Sequence, residues 1–483
     1  MASTSKTKSK LLPKIPTGIN GLDEITEGGF PKGRPILICG SAGCGKTLMA
    51  MQFLVKGITE YNEPGVFMSF EEAEKDLSQN VTSLGFDLKD LIAKKKLRID
   101  HVRVERSEIE ETGEYDLEGL FIRLNHAIDT IGAKRVVLDT IESLFSGIQN
   151  TALLRSEIRR LFQWLRDKGV TTIITGERGE NSLTRQGLEE YVSDCVILLD
   201  FRVIEQIATR RLRIVKYRGS THGTNEYPFL IDENGISVLP ITSLKLDHAA
   251  TNEIISTGLK ELDKLFQRGG LFRGNSTLIT GTAGTAKTTL AAYFAMGSCK
   301  RKERVLYFAF EESPDQFLRN MESIGLNFRP YVKSKLMIIH SSRPSIHGLE
   351  MHLLALHKYI NEFKPHMVII DPISSLIAVG SSSEVKAMLV RLMDLLKTNR
   401  VSAVFTSLTR KLNDDRDVTE EAVSSLSDTW VKLRNEEFSH TVLRSLFIVK
   451  SRGMGHSGEV VDFLITDNGI KMVEKHAHAN TGN

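Results

Sequence analysis

Gly40-Ser-Ala-Gly-Cys-Gly-Lys-Thr47 fits the pattern G-x-x-x-x-G-K-[ST] at every position, and Gly281-Thr-Ala-Gly-Thr-Ala-Lys-Thr288 repeats it with one change, Ala286 for the last glycine. In such a loop the glycines let backbone N–H groups turn inward around phosphate oxygens. The lysine (Lys46, Lys287) supplies a point charge for the β- and γ-phosphates, and the threonine (Thr47, Thr288) offers a hydroxyl to Mg2+. The pattern carries this meaning only between a strand and a helix. Pro35–Cys39 and Leu48–Leu54 provide that setting in the first copy, Ser276–Thr280 and Thr289–Ala295 in the second. The residues expected to touch nucleotide are therefore Gly43, Cys44, Gly45, Lys46, Thr47 and Leu48, and then Thr282, Ala283, Gly284, Thr285, Ala286, Lys287, Thr288 and Thr289.

Working outward, the duplication extends over the whole chain. Ile15-Pro-Thr-Gly-Ile-Asn-Gly-Leu-Asp23 returns as Ile255-Ser-Thr-Gly-Leu-Lys-Glu-Leu-Asp263, 240 residues later. Gly28–Gly33 answers to Gly269–Gly274, Phe70-Glu-Glu72 to Phe310-Glu-Glu312, Val136-Val-Leu-Asp139 to Val368-Ile-Ile-Asp371, and Lys216-Tyr-Arg-Gly219 to Lys450-Ser-Arg-Gly453. A repeat this long is a whole domain rather than a solenoid unit. The expected division is a disordered arm over 1–12, a first domain over 13–242, a second over 253–474 and a short tail over 475–483. Leu244, Leu246 and Ala249 make the join a packed connector rather than a Gly/Ser tether.

Further apolar runs, Gly65–Phe70, Arg135–Leu138, Thr171–Thr175 and Cys195–Leu199, read as strands buried on both faces. Between them Leu154, Ile158, Leu161, Phe162 and Leu165 recur at helical spacing, and Trp164 reads as packing rather than as a base-stacking ring. Alternating strands and helices give an α/β fold with phosphate binding at strand ends. Asp139 and Asp371 each close a strand after a phosphate loop, the Walker B position, where a carboxylate reaches Mg2+ directly or through water. Glu71-Glu72 and Glu311-Glu312 follow buried strands between the two elements in both copies. They are the candidate catalytic carboxylates, which hydrolysis needs to orient water or accept a proton. Lys216, Arg218, Lys450 and Arg452 come late in each copy, where in a ring they would reach a neighbour's phosphates as arginine fingers do.

Composition narrows the class. Lys+Arg of 63 against Asp+Glu of 60, with 7% aromatics, argues against a nucleic-acid partner. No apolar run has the ~18–20 residues of a membrane span, so no membrane is expected. Four cysteines (Cys39, Cys44, Cys195, Cys299) form no disulfide framework and point to a reducing cytoplasm; Cys44, inside the phosphate loop, could be an exposed thiol. His476 and His478 in the tail lack the partners a metal site needs.

With the doubled Walker set, the two Phe-Glu-Glu stretches, Lys216-Tyr-Arg-Gly-Ser-Thr-His222 and Glu226-Tyr-Pro-Phe229 in hand, the chain resembles the KaiC family from about Ile15 to Ile470. The resemblance implies two tandem RecA-like P-loop NTPase domains, each a mostly parallel twisted sheet flanked by helices. It implies a homohexamer of two stacked rings with ATP bound between protomers, the first ring hydrolysing ATP and the second transferring phosphate reversibly to its own hydroxyls. Family binding positions fall on Ser83, Lys216, Tyr217, Arg218, Ser220 and His222, with Asp232 where the pattern has Thr. In the second copy they fall on Ser323, Arg444, Lys450, Ser451, Arg452, Met454 and His456, and Glu311 matches the Mg2+-ligating glutamate. The phosphoacceptor pair falls on Ser424-Ser425, with Thr419 as a third hydroxyl; without the resemblance these serines are an ordinary polar turn.

Departures matter as much as matches. A methyl at Ala286 crowds the phosphates unless that residue has helical dihedrals, so weakened but retained ATP binding is expected at Lys287. Ile324 removes an aromatic beside the base. The family's C-terminal segment to which KaiA binds has little counterpart here, which makes a KaiA-like partner doubtful, whereas Glu177–Asp194 leaves room for a KaiB-like one. RecA and RadA share the general fold; a RecA-like DNA-dependent ATPase is the alternative and would call for basic, aromatic-rich DNA loops.

Overall fold

The computed structural model describes residues 12–102, 117–145, 150–179, 182–184, 187, 193–204, 207–240, 251–346, 348–379, 382–409, 424–438 and 441–473. The expected N-terminal arm apart from Leu12, the connector at Leu244–Ala249, Thr419, the tail histidines and much of Glu177–Asp194 lie outside them. The chain divides into two compact units, Met1–Ser243 and Leu244–Asn483.

In the first unit, β1 (Lys14–Ile15) and β2 (Phe30–Pro31) form a small ribbon. The main sheet comprises β3 (Pro35–Gly40), β4 (Gly65–Ser69), β5 (Leu97–His101), β6 (Arg135–Asp139), β7 (Thr171–Glu177), β8 (Cys195–Ile204), β9 (Ile207–Tyr217), β10 (Glu226–Asp232) and β11 (Gly235–Val238). Their order is β11-β10-β9-β8-β3-β7-β6-β4-β5. The strands from β8 to β5 pair in parallel, and β9, β10 and β11 are added antiparallel. The second unit repeats this as β12 (Ile254–Ile255) with β13 (Leu271–Phe272), then β14 (Ser276–Gly281), β15 (Val305–Ala309), β16 (Met337–Ser341), β17 (Met367–Asp371), β18 (Ser402–Leu408), β19 (Thr429–Phe438), β20 (Thr441–Ser451), β21 (Val461–Thr466) and β22 (Gly469–Val473). The sheet order is β16-β15-β17-β18-β14-β19-β20-β21-β22. The expected architecture, two tandem RecA-like domains with mostly parallel sheets, is what the chain adopts.

The continuous apolar runs become strands because both faces of the sheet are covered. On β3, Ile36 and Ile38 enter one core cluster while Leu37 and Cys39 enter the other. Phe67 and Val137 join the first cluster, and Val66, Met68, Val136 and Leu138 the second. A strand buried this way has no polar face to alternate with. The amphipathic stripe at Leu154–Leu165 lies on a helix over Thr151–Lys168; Asn150 Oδ1 accepts from Ala152 N (2.9 Å) and Leu153 N (3.3 Å), and Gly169 ends it at φ 68°. Trp164 stacks on Phe121 with centroids 5.1 Å apart, so it is packing.

The most faithful part of the repeat, Ile-x-Thr-Gly, is a structural clasp. Asp23 accepts from Thr17 N (2.8 Å), and Asp263 from Thr257 N (2.8 Å) and Thr257 Oγ1 (2.7 Å). The following glycines lie against the helix that leaves the phosphate loop: a Cβ on Gly18 would come within 2.3 Å of Lys56 Cβ, and one on Gly258 within 2.0 Å of Tyr293 O.

Arg135, which reads in the sequence as the start of a strand, is wholly buried. It donates to Glu63 Oε2 (2.7 Å), Phe53 O (2.9 Å) and Pro16 O (2.9 Å) and lies 4.4 Å from the Phe53 ring centre. The second unit has Met367 at the matching register. Arg135→Met takes a donor from the Phe53 and Pro16 carbonyls and the cation from Glu63, and is expected to destabilise the first unit by about 2–4 kcal/mol. Urea unfolding measures this, and an unchanged midpoint would show that other donors serve those carbonyls.

Candidate functional site

A parallel strand has two ends, and the candidate residues divide between them. At the C-terminal end of β3 the chain turns through Gly43 (φ 72°) and Gly45 (φ 106°) into a helix over Lys46–Tyr61. Both dihedrals are left-handed and favour glycine. A Cβ on Gly43 would meet nothing within 4 Å, and the same holds for Gly284, so the loops open onto free space of the kind a phosphate fills. Gly40 and Gly281 are required for another reason: a Cβ there would come within 2.4 Å of Leu199 O and 2.5 Å of Thr285 Oγ1. Lys46 Nζ donates to the loop's own carbonyls, Gly40 O at 2.9 Å and Ser41 O at 3.0 Å, and Lys287 Nζ to Thr282 O at 2.9 Å. Burial lowers the Lys287 pKa, against the pull of Asp371 and Glu311. Leu48 and Thr289, in the first turns of the two helices, are partly buried and buried against the cores.

The carboxylates gather at the same strand ends. Asp139 Oδ2 accepts from Thr47 Oγ1 at 2.9 Å, and its Oδ1 accepts from Thr175. Burial raises the Asp139 pKa despite these two donors. Glu71 Oε1 accepts from Thr140 Oγ1 (2.8 Å) and Ser143 Oγ (2.5 Å), and Glu311 Oε1 from Ser375 Oγ (2.9 Å). Glu72 and Glu312 each take an amide, from Asn80 (3.1 Å) and Asn320 (3.2 Å). Glu312 Oε2 is buried without a partner, and burial raises this group's pKa. Among the described residues no three His, Cys, Asp or Glu side chains cluster as a metal site. The donor set suits Mg2+, which one or two carboxylates and a hydroxyl share with phosphate oxygens. Arg444 joins this end, donating to Gly284 O at 3.0 Å. Ser83 and Ser323 cap the helices that follow the glutamates, each one residue before a turn that leads to a glycine, Gly85 or Gly325, packed near the last hairpin of its own sheet.

The other candidates lie at the opposite end. β8 pairs with β3 through Ile36↔Cys195 and with β9 through Cys195↔Tyr217, which sets Lys216, Tyr217 and Arg218 beside the start of β3. Ser220 and His222 follow directly, with His222 stacked near Tyr217 at 6.1 Å. In the second unit Thr277↔Thr429 and Thr429↔Ser451 set Lys450, Ser451 and Arg452 beside the start of β14, with Met454 and His456 next in the chain. Ser424 and Ser425 form a helical turn just before β19. Lys450 donates to Ser424 O and Arg452 to Ser425 O (2.5 Å), so the two cations grip the backbone of the serine pair. Asp194 and Asp428 anchor this end: Arg218 N and Arg452 N donate to their carbonyls, each at 2.8 Å. Six residues of β3 separate the ends, about 17 Å at ~3.3 Å per residue.

A family model described as the ATPase KaiC matches residues 15–243 and again 255–477. The chain belongs to the KaiC family. It is similar to the circadian clock protein KaiC2 of Synechocystis, 55% identical over 474 residues, covering 98% of this chain and 84% of that protein. It is 35% identical over 467 residues to the circadian clock oscillator protein KaiC of Synechococcus elongatus, covering 96% and 90% of the two chains. For KaiC of Thermostichus vulcanus the figures are 36% over 473 residues, covering 98% and 91%. As a KaiC-family ATPase the chain binds ATP. No helix among the described residues is long and apolar enough to cross a membrane.

Three positions in the KaiC pattern gain detail that the sequence alone did not carry. Cys44 is fully buried, and burial raises its thiol pKa, so it is no exposed reactive cysteine. Ala286 does not adopt right-handed helical dihedrals; it sits at φ 75°, ψ 29°, the left-handed conformation of its glycine counterpart. Tyr217 is buried and its hydroxyl donates to Gly29 O at 2.8 Å. Sequence reading also missed the hydroxyls that orient the carboxylates. Thr175 and Thr406, and Ser143 and Ser375, recur at offsets of 231 and 232, and that recurrence was the available signal.

A left-handed alanine costs about 1–2 kcal/mol, while replacing it by glycine frees the unfolded chain by about 0.4–1 kcal/mol. Ala286→Gly is therefore expected to stabilise the second unit by about 0.5–1 kcal/mol and to tighten ATP binding there. Gly45→Ala, whose Cβ would lie 3.2 Å from Ile231 Cδ1, should do the reverse in the first unit. Denaturant midpoints and binding titrations of both variants check the pair; a destabilising Ala286→Gly would count against the strain argument.

Proposed function

We propose that the first unit hydrolyses ATP and that the second phosphorylates Ser424 and Ser425 and removes those phosphates again, within a homohexamer that serves circadian-type timing or signalling. The observation that carries this reading is the separation of the ends: the acceptor serines, held by Lys450 and Arg452, lie a strand's length from Lys287, Glu311 and Asp371 of their own unit. A serine there receives phosphate from a nucleotide bound by the next subunit. Lys216 and Arg218, at the same end of the first unit, meet the neighbour's phosphates across the equivalent junction.

For hydrolysis, Glu71 or Glu72 orients the water and accepts its proton while the γ-phosphoryl group leaves ADP. Thr140 and Ser143 fix the Glu71 carboxylate for this task. For transfer, a serine Oγ–P bond forms as the bond from the γ-phosphorus to the bridging oxygen breaks, and the serine proton passes to Glu311 or Glu312 of the subunit that holds the ATP. Thr47, Thr288, Glu311, Asp139 and Asp371 are the residues that would hold Mg2+, which when bound neutralises charge on the phosphates. Ala286 weakens the second nucleotide site without abolishing it. A KaiB-like protein is the partner class this reading admits, and the setting is cytoplasmic.

Mixing tests the reading. A Ser424→Ala, Ser425→Ala chain with intact Lys287 is combined with a Lys287→Ala chain that keeps both serines, under conditions of subunit exchange, with labelled ATP. Label is expected on the Lys287→Ala chain, at Ser424 or Ser425. Label confined to other residues would sink the acceptor assignment, and DNA-dependent hydrolysis with no label would favour the RecA-like alternative.

A further inference from the structure

The two units hold their strand-end aspartates differently, and the difference is one buried oxygen atom. In the first unit Asp139 Oδ2 accepts from Thr47 Oγ1 at 2.9 Å, and Oδ1 accepts from Thr175. In the second, Oδ1 of Asp371 again accepts from a threonine, Thr406. Its Oδ2 instead accepts from Tyr307 Oη at 2.7 Å, and Thr288 is not among its partners. Tyr307 occupies the place of Phe67: Phe67↔Val137 and Tyr307↔Ile369 are the same register pair in the two sheets. The tyrosine is fully buried, with its ring 4.5 Å from that of Phe317, so its hydroxyl is fixed on the aspartate.

The chemistry of the two arrangements differs. A threonine hydroxyl that gives its proton to a carboxylate turns its lone pairs away from that carboxylate and becomes a better donor to a cation. Thr47 is set this way before any cation arrives. Thr288 is not, and the donor to Asp371 Oδ2 is a buried phenol. Each aspartate accepts from two hydroxyls, but in the first site one donor is the cation-binding threonine itself, whereas in the second a cation must compete with Tyr307 for Asp371 Oδ2.

We propose that Tyr307 is a positioning residue that keeps Asp371 from Thr288 and gives the second unit a weaker grip on the divalent cation of bound ATP than the first. The inference rests on the reading of Asp139 and Asp371 as carboxylates that serve this cation. It makes Phe67 and Tyr307 the residues that set the two sites apart in cation demand.

The test is Mn2+ binding to the full chain with a non-hydrolysable ATP analogue, followed by electron paramagnetic resonance, which counts free Mn2+ without relying on turnover. The native chain should show a tight and a weak class. Tyr307→Phe, which keeps the buried ring, should tighten the weak class by roughly tenfold, the scale of one charge-assisted hydrogen bond. Phe67→Tyr should weaken the tight class by a similar factor. Asp371→Asn should abolish the weak class; if that class survives, the reading of Asp371 falls and this inference with it. If Asp371→Asn abolishes the class but Tyr307→Phe leaves it unchanged, Tyr307 has no such role and the reading of Asp371 stands.

Discussion

Parallel strands impose a polarity, and the rest of each unit follows from it. Every parallel strand delivers its C-terminal residue to the same edge of the sheet. The phosphate loop after β3, the glutamates after β4 and the aspartate closing β6 therefore meet without any of them being close in sequence. The same polarity, continued through the antiparallel pair β8 and β9, sends Lys216 and Arg218 to the other edge. One unit thus presents candidate residues on both edges, and in the proposed ring each edge would face the opposite edge of a neighbouring copy, a heterologous contact.

Much of this was legible in the sequence because it is written locally. The glycine loops, the apolar runs that end in Asp139 and Asp371, and the helical stripe at Leu154–Leu165 each depend on neighbours within a few residues, and each became the element expected. What stayed hidden depends on partners far along the chain. Arg135 looks like the polar start of a strand, and its burial is decided by Glu63, Phe53 and Pro16, which only the fold brings together. Tyr307 reads as one more apolar strand residue, and its hydroxyl matters only because Asp371 arrives 64 residues later on the adjacent strand. Cys44 could be read either way from its neighbours, as an exposed thiol or a plain small residue, and the fold decides for the second by turning its side chain into the core.

The duplication also shows how function diverges on an unchanged scaffold. Strand order, clasp and anchoring aspartates are the same in both units, so the differences stand out as single residues: Gly45 against Ala286, Thr140 against Pro372, Phe67 against Tyr307. Each lies in the phosphate loop, beside a strand-end aspartate or, for Phe67 and Tyr307, in the core directly behind one. Substitutions of this kind retune a site while leaving the packing that positions it intact, because interiors tolerate changes that conserve volume.

The clasp at the entrance to each unit has a mechanical side. Thr257 and Gly258, pinned by Asp263, press on the helix that begins at Lys287, and they are among the first described residues after the join between the units. The entry segment and the phosphate loop thus share one helix, the first packed against its side at Tyr293 and the second joined to its N-terminus at Lys287.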